Sequence, residues 1–126
     1  MAERSTIERG AAAEAVAALY LEARGLKVLE RNLRCRAGEL DLVCLEDGVI
    51  VIVEVRQRAS ADFGGALASV TWRKQRKLIR ATEFLRQRRP EWRARALRFD
   101  VIAVQGGPDG TRRMDWIRDA FRVDGR

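Results

Sequence analysis

The residues of this chain whose types and spacing could do chemistry are its carboxylates. The sequence contains no histidine, which excludes histidine general bases, Ser-His-Asp and Cys-His catalysis, and every zinc site that uses histidine. Glu39 and Asp41 are two residues apart in a segment predicted as a strand, so their side chains share one face. Glu54 extends the apolar row of Ile50 and Ile52 in the most hydrophobic segment of the chain, where an unpaired ionised carboxylate is costly.

A predicted hairpin brings two of these acids together. Asp47-Gly48 is a turn signal, and pairing that is symmetric about this turn places Asp41 opposite Glu54, to within about one residue. Two carboxylates that converge there repel each other unless a cation lies between them. Oxygen ligands without His or Cys suit a hard ion, Mg²⁺ or Mn²⁺. The alternative is a structural network in which Arg56 and Arg58 neutralise both acids.

Two helical positions add polar groups that face the predicted sheet. Glu14 has small, apolar neighbours three and four positions away, so it projects from the stripe that packs on the sheet. Gln75 shares a stripe with Leu78 and Ile79. The structural alternatives are a Glu14 that pairs with an arginine at the edge of its stripe, and a Gln75 amide that bonds to the backbone.

The helices and strands that are predicted to position these groups indicate a single α/β domain of 126 residues. The second helix is long enough for a right-handed crossover, which makes the third and fourth strands parallel in a mixed central sheet flanked by helices. We also expect a Ser5 cap, a left-handed Gly25 after the first helix, a mobile loop over Ala59–Gly65 and a flexible tail from about residue 119. The predicted order is a helix over Thr6–Arg24, strands over Leu26–Arg34, Gly38–Leu45 and Val49–Arg56, a helix over Trp72–Arg88, and strands over Arg98–Val104 and Arg112–Ile117.

The positive charge of the chain is concentrated in one segment. The formal net charge is +7, and residues 71–98 contain eleven Lys and Arg against only Glu83 and Glu91. Such a partition is typical of a surface that binds a phosphate backbone. Trp72 and Trp92 bracket the segment, either as stacking platforms for unpaired bases or as core residues. The predicted nucleic-acid-binding residues are Arg58, Arg73, Lys74, Arg76, Lys77 and Arg80.

Six short segments along the chain carry a family resemblance. In order, they are Gly38–Val43 (GELDLV), Val53–Arg58 (VEVRQR), Phe63–Gly65 (FGG), Lys74–Leu78 (KQRKL), Arg98–Ile102 (RFDVI) and Trp116–Phe121 (WIRDAF). They resemble the YraN-like family of small, poorly characterised bacterial proteins. That family is similar to the PD-(D/E)XK, restriction-endonuclease-like nucleases and, among them, to the archaeal Holliday-junction resolvases. The likeness covers nearly the whole chain and implies a restriction-endonuclease-like core.

The resemblance also implies roles for individual residues. Asp41 would be the first metal-binding acid, Glu54 the second, and Glu14 the helix acid that the resolvase-like branch adds. Glu39 would complete or tune this metal shell. Arg56 stands where the wider superfamily usually has lysine. The resemblance therefore implies that Arg56 clamps the phosphate and does not transfer a proton, as a lysine could. In similar nucleases a polar residue at the position of Gln75 helps to hold the water or the phosphate.

These observations favour a Mg²⁺- or Mn²⁺-dependent endonuclease that acts on structured DNA, and the resemblance to resolvases implies that this DNA is branched. The first alternative is a catalytically inactive nucleic-acid-binding protein of the same fold, and the second is a module whose basic helix binds an acidic protein. The likeness to resolvases implies a homodimer. The two cysteines, Cys35 and Cys44, are expected to be free thiols, and no segment is apolar enough for a membrane span, so we expect a cytoplasmic protein without membrane contact.

Overall fold

The computed structural model describes residues 6–58, 70–106 and 112–123, and within the first of these ranges the side chains of residues 12–57. The predicted Ser5 cap, the predicted loop over Ala59–Gly65 and the side chain of Arg58 lie outside the described residues. No helix in the described ranges is long and apolar enough to cross a membrane.

The predicted order of helices and strands is confirmed, with one short helix added. That helix begins at Pro90, where the missing N–H costs nothing in a first turn. The elements are α1 (Thr6–Glu22), β1 (Lys27–Cys35), β2 (Gly38–Glu46), β3 (Val49–Arg58), α2 (Trp72–Arg88), α3 (Pro90–Arg93), β4 (Leu97–Gly106) and β5 (Arg112–Phe121).

The five strands form one mixed sheet in the order β1-β2-β3-β4-β5. β3 and β4 are parallel, as the crossover through α2 requires, and the other neighbouring pairs are antiparallel. This α/β architecture confirms the predicted fold class and is consistent with a restriction-endonuclease-like core. A buried cluster lies on each side of the sheet, one beneath α1 and one beneath α2. Trp92 is 3% exposed and belongs to the α2 cluster, so it is a core residue.

Local backbone signals place the ends of two elements where the sequence predicted them. Gly25 has a φ of +97°, and Leu26 N–H donates to Leu21 O at 3.1 Å, which closes α1 in a Schellman motif. Asp47 and Gly48 have φ values of +48° and +82°, the signs that a two-residue hairpin turn between twisted strands requires.

β5 continues beyond its predicted end at Ile117 and reaches Phe121. The reason is packing, since the ring of Phe121 stacks on that of Phe99 with centroids 4.9 Å apart. Cys35 and Cys44 are both free thiols, as expected, and burial raises the pKa of the Cys44 thiol to about 12.

A fully buried carboxylate joins β4 to β5. Asp100 is 0% exposed and accepts two hydrogen bonds from Arg98, from Nε and Nη2, each at 2.9 Å. It also accepts from Trp116 Nε1 and from the backbone N–H of Asp119, both at 2.9 Å. Four donors therefore compensate the lost hydration of this charge, and the group holds the irregular end of β5 against β4.

Replacing Asp100 tests the contribution of this group to stability. We expect Asp100→Asn to lower the free energy of unfolding by about 2–3 kcal/mol, because the fully buried partner of Arg98 loses its charge and, of the described acids, only Glu46 still pairs with that guanidinium. Trp116→Phe removes one donor and should cost about 1 kcal/mol. Urea denaturation of both variants measures the difference, and equal losses would show that the charge of Asp100 contributes nothing specific.

Candidate active site

Asp41 lies where the regular alternation of β2 is interrupted. Leu40 belongs to the core beneath α2 and Leu42 to the core beneath α1, although residues two apart on a regular strand share a face. The pairing of β2 with β3 extends to Leu42 and Val53. Beyond that pair, the backbone N–H of Val55 donates to Asp41 Oδ2 at 2.9 Å. The Asp41 side chain is therefore held against β3, close to Glu54, as the predicted hairpin required.

Three of the four candidate acids meet at this point. Carboxylate oxygens of Glu14, Glu39 and Asp41 all lie within 4.8 Å of one another. Glu14 reaches the cluster from α1 and is only 8% exposed, whereas Glu39 is exposed and Asp41 half-buried. The structure thus brings Asp41 into its tightest acidic group with Glu14 and Glu39. Glu54 stands beside that group rather than inside it.

Glu54 is 3% exposed and is held by two cations. Its Oε2 lies 3.4 Å from Lys74 Nζ and 3.3 Å from Arg56 Nη1. Its Oε1 is buried and has no hydrogen-bond donor within the described part of the chain, and the same holds for Oε1 of Glu14. Two buried carboxylate oxygens therefore lack the donors that such atoms normally have.

Burial and repulsion together raise the pKa values of two of these acids. Loss of hydration is the main cause that raises the pKa of Glu54 to about 8, and repulsion from Asp41 adds to it against the opposing pull of Lys74 and Arg56. The pKa of Glu14 rises to about 7, again by burial first and then by repulsion from Asp41. The cluster is costly as a set of bare charges, and either protons or a cation would relieve it.

The donor set fits a hard divalent cation. Every ligand atom on offer is a carboxylate oxygen, the type that Mg²⁺ and Mn²⁺ prefer, and the two undonated buried oxygens belong to acids of this site. Asp41 is central, since it lies in the tight group and its charge also acts on Glu54.

The contact between Lys74 and an acid of the site was not predicted from the sequence. Lys74 was predicted to bind nucleic acid, but its ammonium group reaches into the site and contacts Glu54. A signal was available, because Lys74 precedes Leu78, Ala81 and Leu85 at helical spacing, and these three are the buried side of α2. A lysine on the sheet-facing stripe of a helix points to a buried acid.

Gln75 lies in the first turn of α2, and its amide bonds to the backbone, which was the structural alternative for this residue. Its Nε2 donates to the backbone carbonyl of Val70 at 3.0 Å, and Thr71 caps the same helix by accepting from Lys74 N–H at 3.2 Å. Both side chains fix the first turn of α2, and this turn carries Lys74 to Glu54.

The remaining predicted basic residues with described side chains form an exposed surface on α2, the helix that carries Lys74. Arg73, Arg76, Lys77 and Arg80 line a cleft of about 330 Å³ together with Trp72. Arg58, the sixth predicted member, has its side chain outside the described residues.

Comparison with known proteins now places the chain. Residues 13–104 match the model of the uncharacterised protein family UPF0102, and this range contains all four candidate acids. The chain belongs to that family. It is 46% identical to a UPF0102 protein of Pseudomonas putida strain GB-1 over 121 residues, 96% of this chain and 98% of the relative. It is 43% identical to one of Pseudomonas syringae pv. syringae strain B728a, over 94% of this chain and 98% of the relative.

A third relative is the UPF0102 protein of Stutzerimonas stutzeri strain A1501. The identity is 47% over 112 residues, which cover 89% of this chain and 92% of the relative. The resemblance to the YraN-like family is therefore confirmed, while the names of these relatives state no activity.

The raised pKa values predict how stability depends on pH without divalent metal. The folded protein keeps protons on Glu14 and Glu54 that the unfolded chain releases near pH 4.5, so deprotonation favours the unfolded state. We expect the free energy of unfolding to fall by about 1–3 kcal/mol between pH 5 and pH 8. No histidine obscures this window.

Urea denaturation in EDTA across this range measures the slope. Glu54→Gln should flatten it, because the amide stays neutral at every pH. Glu91→Gln, at an exposed position of α3, is the matched control and should leave the slope unchanged. A Glu54→Gln slope as steep as that of the parent protein would contradict the assignment.

Proposed function

We propose that the chain is a cytoplasmic, divalent-metal-dependent endonuclease that hydrolyses phosphodiester bonds in structured DNA. The observation that carries this proposal is the carboxylate group of Glu14, Glu39 and Asp41 beside the cation-held Glu54. Acids, cations and an adjoining basic surface are the parts that such a hydrolysis needs in one place.

The acids would hold Mg²⁺ or Mn²⁺. Asp41, Glu14 and Glu39 offer oxygens close enough to share one ion, and Glu54 Oε1, which has no donor among the described residues, would be available as a further ligand atom. A bound ion of this kind lowers the pKa of a coordinated water and stabilises the charge that develops on the phosphate.

Two side chains divide the work that one lysine does in the wider superfamily. Arg56 presents a planar fork of donors, so it would serve to clamp phosphate oxygens. Lys74 brings a compact ammonium from α2 to the same carboxylate, 3.4 Å from Glu54 Oε2. It can donate to the attacking water or to the phosphate, so the arginine at position 56 does not leave the site without an amine.

The basic face of α2 would hold the backbone of the substrate. Arg73, Arg76, Lys77 and Arg80 lie on the helix whose first turn delivers Lys74 to the acids. Phosphate contacts position a strand without reading its sequence, so selectivity would come from DNA structure. The resemblance to resolvases supports branched DNA as the substrate and a homodimer as the active form, which sedimentation analysis would test.

The second candidate function is a nucleic-acid-binding protein without turnover. The observation in its favour is that Lys74 and Arg56 already compensate the charge of Glu54, so the fold does not need a metal to hold that residue. In that case the acids and cations would form a structural network beneath the same basic surface.

A cleavage assay decides between the two functions. We expect labelled four-way junctions, flaps and single strands to be cut with Mg²⁺ or Mn²⁺ and not with EDTA. Asp41→Asn should reduce the rate by more than about 100-fold, because it removes the central ligand charge. Lys74→Met should reduce it by about 10- to 100-fold while the junction still binds.

Asp47→Asn is the control for these variants. It makes the same change in the turn between β2 and β3, where asparagine accepts the positive φ, and it should leave the rate unchanged. Mn²⁺ should also raise the melting temperature of the parent protein but not that of Asp41→Asn. Tight binding without metal-dependent cutting, with no metal effect on melting, would favour the binding protein.

A further inference from the structure

Trp72 presents an aromatic ring at the surface. It is the first residue of α2 and 57% exposed, while the other tryptophan of the same segment, Trp92, is 3% exposed in the core. Leu19 and Val123 are exposed to a similar extent, so exposure alone does not identify a binding residue. What distinguishes Trp72 is a flat aromatic face that is open to a ligand.

The charges of the side chains around Trp72 favour a negatively charged ligand. The four side chains that line its cleft are all basic, and the first turn of α2 contains no acidic residue. The guanidinium of Arg76 lies 5.9 Å from the centre of the indole ring. A ligand here meets an aromatic face and several cations at once, which suits a group with a flat apolar ring and a phosphate.

The size of the cleft and the geometry of stacking indicate which part of a nucleic acid fits. The cleft of about 330 Å³ is at the lower limit of small-ligand sites. In a duplex both faces of each internal base are already stacked on neighbouring bases, whereas an unpaired base has a face that can cover the indole ring.

We propose that Trp72 and the cleft formed with Arg73, Arg76, Lys77 and Arg80 are a stacking site for one unpaired base. Resting on the nuclease function proposed above, this assigns the substrate class: a nucleic acid with unpaired nucleotides. Stacking accepts any base, so the site selects for the absence of pairing and not for sequence.

The test measures binding without turnover. The parent protein is titrated in EDTA with an oligodeoxythymidylate and with a hairpin of equal length whose stem is fully paired and whose loop is a non-nucleotide linker, and its tryptophan emission and fluorescence anisotropy are followed. Trp72→Leu should weaken binding of the single strand by roughly 5- to 150-fold, the effect of one stacked base, and change hairpin binding by less than about twofold. Trp72→Phe keeps an aromatic face and should recover most of the affinity.

Two results would overturn the stacking site. One is an equal effect of Trp72→Leu on single strand and hairpin, or no effect on either, with an unchanged melting temperature. The other is competition by polyglutamate as effective as that by the oligonucleotide, which would make the cleft a surface for an acidic protein. Failure of the nuclease function is separate, since it shows as an absence of metal-dependent cutting while the loss of single-strand affinity in Trp72→Leu persists.

Discussion

Repulsion among the carboxylates that meet at Asp41 sets the conditions that the rest of this structure has to satisfy. Glu14 comes from α1 and Glu54 from the central strand β3, so the acids are assembled by the packing of a helix on a sheet. Such packing normally buries apolar groups, and a bare charge there costs free energy. The cost is offset in part by Lys74 and Arg56, whose cations contact Glu54. It is also offset by the backbone N–H of Val55, which donates to Asp41.

A second buried acid in the same sheet shows what a purely structural carboxylate looks like. Asp100 is completely buried, yet four donors satisfy its two oxygens. Glu14 and Glu54 differ, because each has a buried oxygen without a donor among the described residues. Buried oxygens without a donor are uncommon. Those of Glu14 and Glu54 belong to the acids for which a metal site is proposed, and they support that proposal.

Much of the fold was predictable, because local rules and long-range packing agree along most of the chain. The bounds of α2, the left-handed Gly25 and the turn at Asp47 and Gly48 depend on neighbours in sequence, so a single chain reveals them. The end of β5 was not predictable in this way. Phe121 extends that strand by stacking on Phe99, which is twenty-two residues earlier in the sequence, and no local pattern signals that contact.

The sequence by itself determined which chemistry is available to this protein: carboxylates without histidine, a turn that brings Asp41 toward Glu54, and positive charge gathered on one helix. Only the tertiary structure decided which of these groups contact one another. It placed carboxylate oxygens of Glu14, Glu39 and Asp41 within 4.8 Å of one another, and it brought Lys74 into contact with Glu54. The reason is physical. Residue type and spacing fix the chemistry and the face of each side chain, whereas distances between elements depend on how helix and sheet surfaces pack together.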